Sequence, residues 1–165
     1  MTIEEARKFA ANAHGSQMYG SERYVFHLDQ VYKVLSDFID DADLHISAYL
    51  DDIIEDTHVS KRELRTVFGD RVADIVWAVS DGEGASRRER KAIAYKKIQS
   101  LGDDAIAIKL ADRIANVSNS RAHNSRIYSM YKREQDSFRS ALFMDGSRSE
   151  VIQMWNHLDS LFSEI

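Results

Sequence analysis

The residues in this chain best suited to chemistry are the carboxylates of the segment ISAYLDDIIEDT: Asp51, Asp52, Glu55 and Asp56. On a helix turning about 100° per residue they share one face, while Ile46, Leu50, Ile53 and Ile54 take the other. The i,i+4 pairs Asp51/Glu55 and Asp52/Asp56 then set like charges one turn apart, which costs a helix about 0.2–0.5 kcal/mol per pair. Two readings account for such a face. It is either a solvated acidic surface or the place where a divalent cation cancels the repulsion. Periodicity does not choose between them.

A second carboxylate stands out by its surroundings. In DAIAIKLADRIANV the apolar residues run most of the way round the helix, the pattern of a buried one, and Asp112 sits among Leu110, Ala111 and Ile114. An ionised side chain there needs a partner, and Lys109, Arg113 or a metal would each serve. Asn116, one turn on, shares its face and is placed to meet a ligand. The chain has no cysteine, so a bound metal must be held by His, Asp or Glu. Among the histidines, His27 is the candidate, because it opens a helix directly after the aromatic stretch Tyr24–Phe26. The run SRRERKAIAYKK gathers Arg87, Arg88, Arg90, Lys91, Lys96 and Lys97. It is either a solvated basic face or the place where an acidic protein meets phosphate.

The frame that must position these groups reads as consecutive helices. There is no proline, and glycines fall between periodic segments. Thr2 with Glu5 has the spacing of a capping box and opens a helix to about His14. Residues 15–24 read as a loop. Helices are expected over 27–39 and 44–56, over 60–69 behind a second capping pair (Ser60 and Glu63), and over 70–79. Further ones follow over 87–99, 104–117, 125–141 and 149–162. No strand alternation is sustained, so the expected fold is an all-α single domain spanning 1–165, a bundle of about eight or nine helices.

Composition narrows the function. At 165 residues, 44% hydrophobic and 30% charged, the chain can enclose one core without disulfides. No apolar run approaches the roughly 20 residues of a membrane span, so no membrane association is expected. A net charge of −5 argues against nucleic acid as a partner, and an anionic small molecule would need a local basic patch. The N-terminus enters a helical pattern at once, with no sign of a leader, and the absence of thiols fits a reducing compartment such as the cytoplasm.

Taken in order, AHGSQMYGSERYVFHLDQV, AYLDDIIEDT, FGDRVADIV and IKLADRIANV resemble the alarmone-hydrolase branch of the HD superfamily. That branch comprises the hydrolase domain of Rel/Spo-type enzymes and their small stand-alone relatives. The match runs from about residue 3 to residue 117, and MYKREQDSFRSA is similar to the substrate-side helix of the short forms. The resemblance implies an HD-type helical bundle that uses Mn²⁺, or Mg²⁺, to remove the 3′-pyrophosphate of guanosine tetra- or pentaphosphate. It implies His27, Asp52 and Asp112 as metal ligands, with Glu55 and Asp56 positioning and activating the attacking water. Asn116 would lie by the ribose and Tyr131 would pack on the nucleotide, with Arg90 and Lys91 of the basic run toward its phosphates.

The sequence departs from that pattern in two places. The second histidine ligand is replaced by Asp51, a harder ligand that adds negative charge. This implies either a shifted metal preference or weakened catalysis. The loop before His27 lacks the family's basic residues, and Tyr19 is the group there that could stack on a base. A nucleotide phosphatase of other specificity and a catalytically degenerate domain that binds nucleotide or protein are the alternatives.

Overall fold

Thr2 caps the first helix by the expected reciprocal pair. Its hydroxyl accepts from the Glu5 amide at 3.1 Å, and the Glu5 carboxylate accepts from the Thr2 amide at 2.7 Å. Helix α1 (Ile3–His14) follows and ends at Gly15, whose φ of 57° suits glycine. The computed structural model describes residues 1–163, and α2 (Tyr24–Ser36), α3 (Ala42–Leu50), α4 (Ile53–Asp56), α5 (Lys61–Phe68) and α6 (Asp70–Val79) come next. Ser60 caps α5 by accepting from the Glu63 amide, and Gly69 at φ 92° makes the corner into α6. Then come α7 (Arg87–Leu101), α8 (Asp103–His123), α9 (Ser125–Leu142) and α10 (Ser149–Ser163). The all-α expectation holds, with no described helix long and apolar enough to cross a membrane.

Three boundaries differ from expectation, and each difference bears on the site. The helix expected over 44–56 is broken: α3 stops at Leu50, Asp51 and Asp52 form a turn, and α4 resumes at Ile53. Asp52 adopts φ −96° and ψ 0°, the bridge region common at active sites. With the break, the described residues form ten helical segments where about eight or nine were expected. Helix α2 begins at Tyr24, three residues before His27, which puts both on one face. The loop 15–24 contains a two-residue-per-strand hairpin, β1 (Met18–Tyr19) against β2 (Glu22–Arg23), turning at Gly20 with φ 60°. Strands this short leave no period-two signal in the sequence.

Helix α8 lies at the centre, as its all-round apolar pattern required. Ala105, Ile106, Ala107, Ile108, Leu110, Ala111, Ile114 and Val117 are buried, and α2, α3, α6, α7, α9 and α10 pack around them. Phe138 from α9 and Trp155 from α10 complete this layer. A second apolar cluster joins Leu28, Leu50 and Ile53 to Leu64 and Val72. The α3–α4 break lies between these two cores, opposite the N-terminal half of α2 and the middle of α8.

Candidate functional site

Where those three elements meet, ligating atoms of His27, Asp52 and Asp112 come within 4.8 Å of one another. His27 Nε2 is 3.0 Å from Asp112 Oδ1 and 4.0 Å from Asp52 Oδ2, with the imidazole only 1% exposed. Two neighbours hold these ligands in place. The Tyr24 hydroxyl donates to Asp52 Oδ2 at 2.5 Å, and the Asn116 amide donates to Asp112 Oδ1 at 3.0 Å. Tyr19 of the hairpin stacks on His27 with centroids 4.4 Å apart and donates to Asn116 Oδ1 at 2.7 Å.

Electrostatics mark the cluster as strained without a cation. Burial, then the neighbouring Asp52 and Asp112, pushes Asp51 well above the ordinary carboxylate range. Burial and Asp112 raise Asp52 as well. Burial acts on Asp112 in the same sense, but its hydrogen bond to His27 and the charge of Lys109 hold it below the usual range. Burial alone would lower His27, yet its bond to Asp112 raises it overall. Carboxylates crowded until they retain protons are what a divalent ion relieves. An imidazole with hard oxygen donors suits Mn²⁺ or Mg²⁺. Asp51 lies behind the cluster, 4% exposed, with Oδ1 buried and unpartnered. The residues present therefore fit such an ion, with three converging ligands and a fourth, buried carboxyl group behind them.

Beside the cluster opens a polar cavity of about 140 Å³. It is lined by the carboxylates of Asp52, Glu55 and Asp112 together with the cations Arg87, Lys91, Lys109 and Arg113. Removal of solvent around the Glu55 carboxylate pushes it up to about 7, and the Asp81 amide donates to Glu55 Oε1 at 2.5 Å. The Asp81 carboxylate in turn holds Lys91 at 2.9 Å, so one loop residue links the acid to a base of the pocket. Larger hollows lie elsewhere. One of about 560 Å³ is a mainly apolar groove between α2 and α8 that none of His27, Asp52 and Asp112 lines. The polar cavity is the one that Asp52 and Asp112 of the ligand cluster line.

The structure brings together His27, Asp52, Asp112, Glu55, Asn116, Tyr131 and Lys91. It does not bring in the others named from the sequence. Arg90 points away, its guanidinium bonded to Gly84 O at 3.3 Å, and Arg87, one turn earlier than Lys91, takes the place expected of it. Asp51 is outside the converging set because the turn at 51–52 directs it inward. Asp56 is exposed and bonded to Gln17 Nε2 at 2.9 Å rather than lining the cavity. Tyr19 backs His27 instead of offering a free ring. Sequence reasoning passed over Tyr24, whose i,i+3 spacing to His27 was available once α2 was started early enough. It treated Lys109 and Arg113 only as charge partners of Asp112.

Comparison with known proteins agrees with the geometry. The HD domain family model matches residues 6–138, and the chain belongs to this family. A Drosophila melanogaster protein named guanosine-3′,5′-bis(diphosphate) 3′-pyrophosphohydrolase MESH1 is 26% identical over 97% of this chain and 92% of its own length. An Aquifex aeolicus guanosine-3′,5′-bis(diphosphate) 3′-pyrophosphohydrolase is 34% identical over 70% of this chain, a stretch that is 17% of that longer protein. Among solved structures, a metazoan SpoT ortholog described as hydrolysing ppGpp superposes with a TM-score of 0.80 at 25% identity. That match covers 97% of this chain and 93% of the other.

Proposed function

We propose that this protein is a metal-dependent hydrolase that removes the 3′-diphosphate of guanosine 3′,5′-bis(diphosphate)-type nucleotides. The observation that carries the reading is the convergence of His27, Asp52 and Asp112 within 4.8 Å beside a cavity that Arg87, Lys91, Lys109 and Arg113 also line. Near full-length similarity to a relative named for this reaction supports the substrate class. Mn²⁺ is the proposed ion, with Mg²⁺ as the second choice, because the donors are one imidazole and hard oxygens.

His27, Asp52 and Asp112 hold the ion. When bound it supplies Lewis acidity toward a phosphoryl oxygen and toward the attacking water. Glu55, poised near neutrality, accepts a proton from that water, while Asp56, exposed and bonded to Gln17, stays outside the cavity. Water adds to the 3′-linked phosphorus, the bond to the 3′ oxygen breaks, that oxygen takes up the proton Glu55 accepted, and pyrophosphate and a free 3′-hydroxyl result. Arg87, Lys91 and Lys109 offset the phosphate charge. Asn116 and Tyr131 border the nucleoside side, and Tyr19 fixes Asn116 and His27 from behind.

Incubating the protein with Mn²⁺ and a panel of 3′-diphosphorylated and ordinary nucleotides tests the reading. Pyrophosphate release from the former is expected. Release from none of them, with turnover of an ordinary nucleotide, would transfer the site to another phosphatase reaction. Asp51 favours one further reading, a domain that binds nucleotide without turning it over. Asp51→His separates the two, since activity appearing only in that variant would make the native chain a binder.

A further inference from the structure

The charges of the polar cavity are not equivalent. Arg87 is paired with Glu134 at 3.2 Å, Lys91 with Asp81 at 2.9 Å, and Lys109 lies 4.0 Å from Asp112. Arg113 is the exception. It is 3% exposed, its Nη1 is buried with no hydrogen-bond partner, and among the described residues its guanidinium forms no ion pair. What it touches is aromatic: the guanidinium carbon sits 4.1 Å from the Phe138 ring centroid and 4.8 Å from that of Tyr131. Two rings from α9 thus hold the planar fork in one orientation in the cavity wall.

A buried guanidinium with no anion bears a desolvation cost that two ring contacts offset only in part, about 0.5–2 kcal/mol each. Such a group is matched by a ligand that brings negative charge and paired acceptor oxygens, for which the fork geometry is suited. The ligand cluster binds a phosphoryl group at its own side of the cavity. A second phosphoryl group in the same cavity can meet Arg113, the lining cation without an ion pair among the described residues.

We propose that Arg113 is the subsite for the distal phosphate of the substrate, and so the residue that makes the cavity select a diphosphate over a monophosphate. The inference rests on the hydrolase reading above for the identity of the substrate, but not for the anion it predicts. Tyr131 acquires a role in it, as one of the rings that hold the fork flat.

Isothermal titration of pyrophosphate and of orthophosphate into protein at saturating Mg²⁺ reads the subsite without turnover. Wild-type protein is expected to bind pyrophosphate the more tightly. In Arg113→Met, pyrophosphate binding should weaken about 10- to 100-fold, the scale of a charge-assisted hydrogen-bond pair. Orthophosphate binding and Mg²⁺ affinity should stay within about threefold, a margin below the worth of a single hydrogen bond. Unchanged pyrophosphate binding, or equal weakening of both anions, overturns the proposal. Should Arg113→Met not fold, Arg113→Lys serves. It keeps stem and charge but gives up the fork, so a loss confined to pyrophosphate supports the subsite and no loss overturns it. Arg113-dependent pyrophosphate binding in a protein inert toward every 3′-diphosphorylated nucleotide would remove the hydrolase reading and leave this one standing.

Discussion

Adding a divalent ion to metal-free protein should raise its melting temperature, and by more at pH 8 than at pH 6. The direction follows from the protons the site holds. Burial and neighbouring carboxylates raise Asp51 and Asp52, burial brings Glu55 up to about 7, and Asp112 raises His27 against the effect of burial. Each of these groups keeps its proton to higher pH when folded than when unfolded. The ion-free fold therefore binds more protons than the unfolded chain, and it loses stability as pH rises through their folded values. Glu55 is desolvated on its cavity side but is an exposed residue overall, so its share is the most screened. Asp112, held below the usual range, acts in the opposite sense at acid pH. Its contribution is present above the ordinary carboxylate pKa and is lost as pH falls through its folded one. The ion needs deprotonated ligands, so its binding strengthens over the interval in which the ion-free fold weakens.

The size follows from mass action. An ion at about 100 times its Kd contributes about 2.7 kcal/mol. A chain of this length gains roughly 2–4 °C per kcal/mol, so the shift should be about 5–11 °C. Thermal melts followed by circular dichroism, in EDTA and in Mn²⁺ or Mg²⁺, measure it. Asp52→Asn, which removes one ligand, should abolish most of the shift. Identical melting in EDTA and in metal at pH 8 would refute the metal centre. Shifts of equal size at pH 6 and pH 8 would refute the proton argument while leaving the centre intact.

Tyr24→Phe removes the donor that orients Asp52, so metal affinity should fall about 10- to 100-fold with the fold retained, as measured by metal titration. Affinity within twofold of wild type would show that the bond does not matter to the ion. Glu55→Gln should lower kcat about 10²- to 10⁴-fold and abolish a rise of kcat/KM with pH whose apparent pKa lies at or below about 7. A variant within tenfold of wild type that keeps the same pH profile would remove Glu55 from the proton transfer.

Much of the fold was legible because helices declare themselves locally. The Thr2/Glu5 and Ser60/Glu63 caps, the glycines and the absence of proline mark the segments, and the all-round apolar pattern of 104–117 marks the central helix. Ordered motifs also placed His27, Asp52 and Asp112 together, since residue type and order along the chain are properties of sequence. What the sequence left undetermined was direction. On a wheel Asp51, Asp52, Glu55 and Asp56 share a face. The turn at 51–52 sends Asp51 inward, aims Asp52 at Tyr24 and His27, leaves Glu55 on the cavity and leaves Asp56 exposed against Gln17. Which cations of a basic run reach the pocket likewise depends on how α7 and α9 rotate against α8, so Arg87 enters and Arg90 does not. A helical wheel cannot register a break whose only advantage is realised in contacts with residues 28 and 60 positions away. Those contacts exist only once the three elements have packed, and the chemistry of this protein depends on them.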